Sequence, residues 1–575
     1  MHLESDPSLN AQLPKKLKTL NFANKARNLY IRLSNNQRQG KTPPDYIMMS
    51  LPSQMPALPE PRNPIQQRIF GEPPLSLWEL ERRFERIAAD PRPQGVILYL
   101  RGFGMSLADL QTLRDSMIRL RGQGKKVLCY AQGYDLATYY VATAADEIII
   151  QPGGNVFTVG LRQEALFLKD ALDRIGVAVD SIAISPYKGA ADQFTRSDIS
   201  PEGQAQLEWL LDSRYQQIVE GIASGRQMTT EKVREVIDNA PYLDKFAKGI
   251  SVLDAVLNEE ELYTYLGTEK IDVWAEADKS VYLVPRKDFD KYIAVLTVDG
   301  LIVTGESANP PGNSPIPIPV VQGGRTGDIT VTRQVRALMQ DEKLGGVVLF
   351  VNSGGGSATA SEAMRAALEQ LAHKVPIVVY MNSVAASGGY WISTPARYIV
   401  AQPGTITGSI GVLIAKPIAG DLRRKLSVKA VEFMRGENAD IFSGTEPFTD
   451  EQRAWLTDSI ERTYAQFLEL VSVSRGMSIE AVDEVGGGRV WTGVQALENG
   501  LIDELGGFKQ ALAKVRDFAD LAEDAPIALV SGKTKPIAPQ VAERANPAAH
   551  VGYLADGVDA VLSGAPQLLM PLDLK

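Results

Sequence analysis

Short runs of consecutive apolar residues alternate along this chain with longer stretches whose apolar positions recur every three or four residues. "GVILYL" from Gly95, "KVLCYA" from Lys126, "GVVLFV" from Gly346 and "IVVYM" from Ile377 are β-rich runs of strand length. "SEAMRAALEQLAHK" from Ser361 is a helical stretch lying between two of them. Strand alternating with helix predicts an α/β fold, a mainly parallel sheet flanked by helices. Ser200-Pro201-Glu202 and Thr449-Asp450-Glu451 read as helix starts, a capping hydroxyl followed by proline or acids in the first turn. Residues 306–328, rich in Pro and Gly, read as a mobile loop.

The pattern occurs twice. "GVILYLRGFGMS" from Gly95 matches "GVVLFVNSGGGS" from Gly346, and the segment from Lys126 to the Gln-Pro-Gly at Gln151 tracks the one from Pro376 to the Gln-Pro-Gly at Gln402. Downstream, "SPEGQAQLEWLLDSRYQQIVEGIASGRQM" resembles "FTDEQRAWLTDSIERTYAQFLELVSVSRGM". A spacing of about 250 residues is too long for a solenoid repeat and right for a duplicated domain. The organisation read from this is a basic N-terminal segment over 1–44, a first repeat over 45–290, a second over 291–530, and a tail over 531–575.

Composition narrows the chemistry. The 575 residues are 44% hydrophobic and 22% charged, with a net charge of -9, so no general basic field favours nucleic acid. The one cysteine, Cys129, excludes an internal disulfide and sits in an apolar run, as a small core residue does. Only three histidines exist, and His2, His373 and His550 all fall at tail or cap positions. A histidine-based serine triad and a histidine-rich metal site are both disfavoured. No window reaches the roughly 18 uninterrupted apolar residues of a membrane span. The stretch from Lys15 to Arg32 mixes basic and apolar residues without the apolar core of a secretory signal, which suits a solvated helix or a peripheral contact with an anionic membrane.

The two repeats differ where chemistry is expected. In "SVAASGGYWIS" of the second repeat, Ser387 stands among small residues; opposite it the first repeat has Ala137. Opposite Gly354-Gly355-Gly356 the first repeat has the bulkier "GFGM". Conversely, Lys188 in "SPYKGAADQF" of the first repeat meets Arg435 in the second. Arginine cannot be deprotonated in a protein, whereas a desolvated lysine can. Alone, "AASGG" reads as a helix start and "SGGGS" as a flexible turn or anion nest. The reciprocal loss instead points to a Ser-Lys pair in which Lys188 takes the proton of Ser387. Gly355 and Gly388 are the candidate backbone donors to the oxyanion of a tetrahedral intermediate.

Together, "VNSGGGSATASE", "AASGGYWISTPA", "GTITGSIGV", "RVWTGVQALENGLIDELGG" and "PYKGAADQFTRSDISPE" resemble the long, duplicated form of signal peptide peptidase A. That family is a bacterial Ser-Lys peptidase group with the ClpP/crotonase-like fold, and the resemblance covers about residues 45 to 530. It implies Ser387 as nucleophile, Lys188 as general base, and Ser409 of "TGSIG" as a helper that orients the lysine amine. It implies no cofactor, a homotetramer, and unfolded apolar peptides such as signal-peptide remnants as substrates. Three features depart from the family: Gly354 where proline is usual, Gly189 after the lysine, and no N-terminal membrane anchor. The last favours a cytoplasmic or peripheral membrane placement. Two other classes share some of these features. A crotonase-type acyl-CoA enzyme would account for the glycine loops but not for Ser387 and Lys188. A non-catalytic scaffold for hydrophobic segments would need neither residue.

Overall fold

The computed structural model describes residues 17–60, 62, 67–68, 71–285, 289–308, 324–530 and 567–569. The chain divides into two compact units. One is formed by Pro14–Arg162 with Asp212–Phe289, the other by Gln163–Leu211 with the described residues from Asp290 onward. The segment carrying Lys188, which the sequence places in the first repeat, therefore packs in the same unit as Ser387.

In the first unit a six-stranded sheet has the order Ile271–Val273, Tyr46–Ser50, Gly95–Leu100, Lys126–Ala131, Glu147–Ile150, Ala255–Val256, with every pairing parallel. Its strands are covered on both faces. Val96, Leu98, Val127, Cys129 and Ile148 belong to one buried cluster, and Ile97, Leu128, Tyr130 and Ile149 to another. That is why the strands read as unbroken apolar runs rather than alternating ones. Each such aliphatic side chain removed from water contributes about 1.5–3 kcal/mol. The helix Leu17–Gln39 docks its end on this unit, where Asn35 exchanges hydrogen bonds with the backbone of Leu283 at 2.9 Å and Arg38 donates to Val281 O at 2.6 Å. Leu29, Tyr30 and Leu33 of the same helix are exposed.

The second unit repeats the plan. Ile527–Val530, Tyr292–Asp299, Leu344–Ser353, Ile377–Ala386, Tyr398–Ala401 and Glu504–Leu505 follow in the same order, all parallel. Equivalent strands occupy equivalent places, so the duplication read from sequence is a duplication of topology. A second sheet is particular to this unit: Arg325–Gly327, Leu301–Val303, Gly355–Ser357, Gln567–Leu569, Leu413–Ile418, Ala178–Ala183. It joins the glycine loop to the strand that leads to Lys188.

The expected helix starts are present. Ser200 Oγ accepts from Gly203 N at 3.0 Å ahead of Pro201–Arg226, and Thr449 forms a capping box ahead of Asp450–Arg475. Cys129 is buried, and His373 caps the C-terminus of Ala358–Ala372. Of the loop expected over 306–328, residues 309–323 lie outside the described residues, as does the tail apart from Gln567–Leu569. Among the described residues no helix is long and apolar enough to cross a membrane.

Candidate active site

The strand Ile377–Ala386 ends at Ser387, and the short helix Gly388–Trp391 begins at the next residue. Reversing from strand to helix in one step puts Ser387 at φ 56°, ψ -114°. A serine there is strained by about 1–3 kcal/mol and persists only when its surroundings fix it. Two backbone bonds do so: Ser387 N donates to Gly408 O and Trp391 N to Ser387 O, each at 2.8 Å. Side chains beside this turn must be minimal. A Cβ on Gly388 would lie 2.6 Å from Ser361 Oγ, 3.1 Å from Gly355 Cα and 3.3 Å from Gly356 N. The glycine at 388 thus lets the serine turn and the glycine loop meet, which brings Gly355 and Gly388 together. Gly355 N donates to Ser353 Oγ at 3.1 Å, and Ser353 Oγ donates to Gly300 O at 2.6 Å, so this loop is held from behind.

Lys188 arrives from the other direction. Its strand, Ala178–Ala183, runs antiparallel to Leu413–Ile418, and Ile184 N continues the ladder to Val412 O at 3.0 Å. The chain then turns, with Lys188 N donating to Ser185 O at 3.1 Å and Ser185 Oγ donating to Gly487 O. Residues 486–489 form the platform beneath it. Gly488, at φ +87°, passes so close that a Cβ would sit 2.7 Å from Lys188 Cα. The Arg489 guanidinium lies 4.2 Å over the Tyr187 ring, Tyr187 packs on Trp209, and Trp209 stacks on Trp491 at 5.1 Å.

The lysine amine ends among hydroxyls. Lys188 Nζ lies 2.7 Å from Ser387 Oγ, 2.8 Å from Ser409 O and 2.9 Å from Ser409 Oγ, all in one chain. Ser409 also sits at positive φ, 52°, fixed by its N–H donating to Arg489 O at 2.6 Å. Lys188 is 1% exposed and Ser387 and Ser409 are fully buried. Burial strips the ammonium of its water and pushes the Lys188 pKa well below its ordinary value. A neutral amine offers two N–H donors, for the carbonyl and hydroxyl of Ser409, and one lone pair, for the proton of Ser387.

The residues opposite Ser387 and Lys188 in the other repeat lie elsewhere. Arg435 is exposed and donates to Met434 O at 2.7 Å. The counterpart of Ser387 needs correcting by one position. Tyr134 pairs with Val156 and Asp135 with Phe157, as Ala385 pairs with Thr407 and Ala386 with Gly408. Asn155 and Val156 in turn pair with Leu243 and Tyr242, as Ile406 and Thr407 pair with Thr492 and Trp491. These registers put Leu136, not Ala137, opposite Ser387, because the second repeat has one extra residue before the turn, between the strand position of Met381 and Ala385. Neither residue bears a hydroxyl. Reasoning from sequence missed the supports Ser353, Ser361, Tyr187, Trp209, Gly488, Arg489 and Trp491. Several stand inside the motifs that were noticed, "PYKGAADQF" and "RVWTG", but their role depends on which loops meet.

A serine held at a strained turn against a desolvated amine suits an enzyme acting through serine, and comparison with known proteins gives the class as a serine peptidase. Peptidase family S49 matches at residues 119–271 and again at 369–522, and the chain belongs to that family. It is 32% identical over 484 residues to Protease 4 of Haemophilus influenzae, covering 79% of this chain and 74% of that protein. Against Protease 4 of Salmonella typhi it is 31% identical over 467 residues, covering 78% and 73%. Against the chloroplastic serine protease SPPA of Arabidopsis thaliana it is 29% identical over 475 residues, covering 79% and 68%.

Proposed function

We propose that this serine peptidase works through a Ser387–Lys188 dyad and degrades unfolded apolar peptides such as cleaved signal peptides. The carrying observation is the buried amine of Lys188, 2.7 Å from Ser387 Oγ and in contact with Ser409 on its other side. The neutral amine accepts the Ser387 proton as Oγ attacks the scissile carbonyl, forming the C–O bond of a tetrahedral intermediate. The oxyanion takes hydrogen bonds from Gly388 N–H and from Gly355 N–H once the latter leaves Ser353. Lys188 then gives its proton to the departing amine, which breaks the peptide bond and leaves an acyl ester on Ser387. Water, deprotonated by Lys188, attacks that ester, and the proton returns to Ser387 as the acid product leaves. Ser409 keeps the amine aimed throughout.

The substrate class follows from access, since only extended chain fits beside a fully buried serine. A homotetrameric assembly and a peripheral membrane contact through the basic, partly apolar helix Leu17–Gln39 belong to the same proposal, which needs no cofactor and no nucleic acid. Ser387→Ala and Lys188→Ala are each expected to lower kcat on an unfolded peptide by several orders of magnitude while the far-ultraviolet circular dichroism is kept. Activity retained in either folded variant overturns the dyad.

A further inference from the structure

The two repeats hold their glycine loops in different ways. Ser50 pairs with Tyr99 in the first repeat, as Thr297 pairs with Phe350 in the second. Counting on from these pairs, Ser53 corresponds to Gly300, Gly102 to Ser353 and Gly104 to Gly355. In the first repeat Gly104 N donates directly to Ser53 O at 3.0 Å. In the second a hydroxyl is inserted into the matching contact. Gly355 N donates to Ser353 Oγ at 3.1 Å, and Ser353 Oγ donates to Gly300 O at 2.6 Å. The hydroxyl stands in the repeat that carries Ser387, and a glycine without one stands in the other.

The backbone around this bridge is fixed. Gly300 N donates to Asn352 O and Leu301 N to Gly324 O, each at 2.9 Å, and Gly356 pairs with Ile302. Ser353 is 1% exposed, so its hydroxyl is shut off from bulk water. A buried N–H must find a partner. Without the hydroxyl, the acceptor at hand is Gly300 O, and the loop closes onto it as Gly104 closes onto Ser53. An N–H committed to a backbone carbonyl is lost to an oxyanion. A serine hydroxyl makes a different partner. When Gly355 N–H leaves it, Ser353 Oγ keeps its own bond to Gly300 O and no donor is stranded.

We propose that Ser353 is the positioning residue of the oxyanion loop: its hydroxyl keeps Gly355 N–H from closing onto Gly300 O and releases it to the substrate oxygen. The inference rests on the proposed dyad with Gly355 as oxyanion donor, and it adds the group that keeps this donor available. As Ser387 Oγ bonds to the scissile carbon, its proton passes to Lys188 and the carbonyl electron pair moves onto oxygen. Gly355 N–H then exchanges Ser353 Oγ for that oxyanion, a charge-assisted and stronger partner. This bond exists only as the oxyanion forms, so Ser353 acts on kcat and not on KM.

The test uses two variants of the full chain. Ser353→Gly installs the residue of the first repeat, and Ser353→Cys fills the same space with a thiol, a weak hydrogen-bonding group. Each lowers kcat on a fluorogenic apolar peptide by about 100- to 1,000-fold, the cost of losing one oxyanion donor, and leaves KM unchanged. The rise of activity with pH stays in place, since Lys188 is untouched. A peptide aldehyde, which adds to Ser387 and sets an oxygen in the oxyanion site, loses affinity by the same factor. The peptide amide of the same sequence binds unchanged, by fluorescence anisotropy in a Ser387→Ala background. Wild-type kcat in folded Ser353→Gly and Ser353→Cys overturns the inference even where Ser387→Ala abolishes activity. Equal weakening of aldehyde and amide, or a displaced pH limb, also overturns it, because either marks a general disturbance of the site. Active Ser387→Ala protein instead overturns the dyad itself.

Discussion

At the residue scale the site depends on one buried amine. In the unfolded chain Lys188 titrates near the ordinary lysine value of about 10.4; in the folded protein burial holds it well below that. Between the two values the unfolded chain binds one more proton than the folded one, so stability rises with pH across that window. Below the folded value both states are protonated and the cost of burying the ammonium is fully present. Above about 10.4 both are neutral and the cost is gone. Wild type is thus expected to gain on Lys188→Met by about 1.4 kcal/mol per pH unit within the window, read by denaturant unfolding at several pH values. A gap independent of pH shows that Lys188 is not desolvated. Activity is expected to rise with pH through the same lowered value, in a limb left unchanged when His373 is replaced. Ser387 and Lys188 were legible in the sequence because serine and lysine survive in opposite repeats. The strain at Ser387 and Ser409 was not, since φ is set by what each turn must connect.

At the element scale, loops fix the site and strands fix the loops. The platform of residues 486–489 backs Lys188 through Gly488 and anchors Ser409 through the carbonyl of Arg489. Gly488→Ala introduces a Cβ 2.7 Å from Lys188 Cα at a φ of +87°, so the lysine backbone must shift. A displacement of about an ångström at a catalytic group costs about 100-fold in rate. The variant is expected to lose about that factor in kcat while binding peptide normally, measured by steady-state kinetics and by anisotropy with its Ser387→Ala counterpart. Wild-type kcat shows that the platform does not position the amine. Strands such as Gly95–Leu100 and helices such as Asp450–Arg475 could be read directly, because local periodicity and caps specify them. The mixed sheet that joins Ala178–Ala183 to Leu413–Ile418 could not, since pairing over such a separation leaves no local signature. The offset of one residue between Leu136 and Ala137 has the same origin: alignment by sequence cannot say where along the segment from strand to helix an extra residue sits.

At the scale of the whole molecule, the proposed dyad divides its labour between the two repeats. The two units share a strand order, yet Gln163–Leu211 packs with the unit that carries Ser387. The repeat boundaries read from sequence and the compact units therefore differ over this segment, and the exchange is what delivers Lys188. The central claim is that a serine from one repeat is activated by a lysine from the other. It is tested most directly by labelling with a serine-reactive fluorophosphonate, mapping the modified residue by mass spectrometry and following the rate against pH. The account predicts modification of Ser387 alone, at a rate that rises with pH through a value well below about 10.4. The rate should fall by orders of magnitude in folded Lys188→Ala protein and remain at the wild-type level in Arg435→Ala. Modification of another serine, or an undiminished rate at Ser387 in Lys188→Ala, contradicts it.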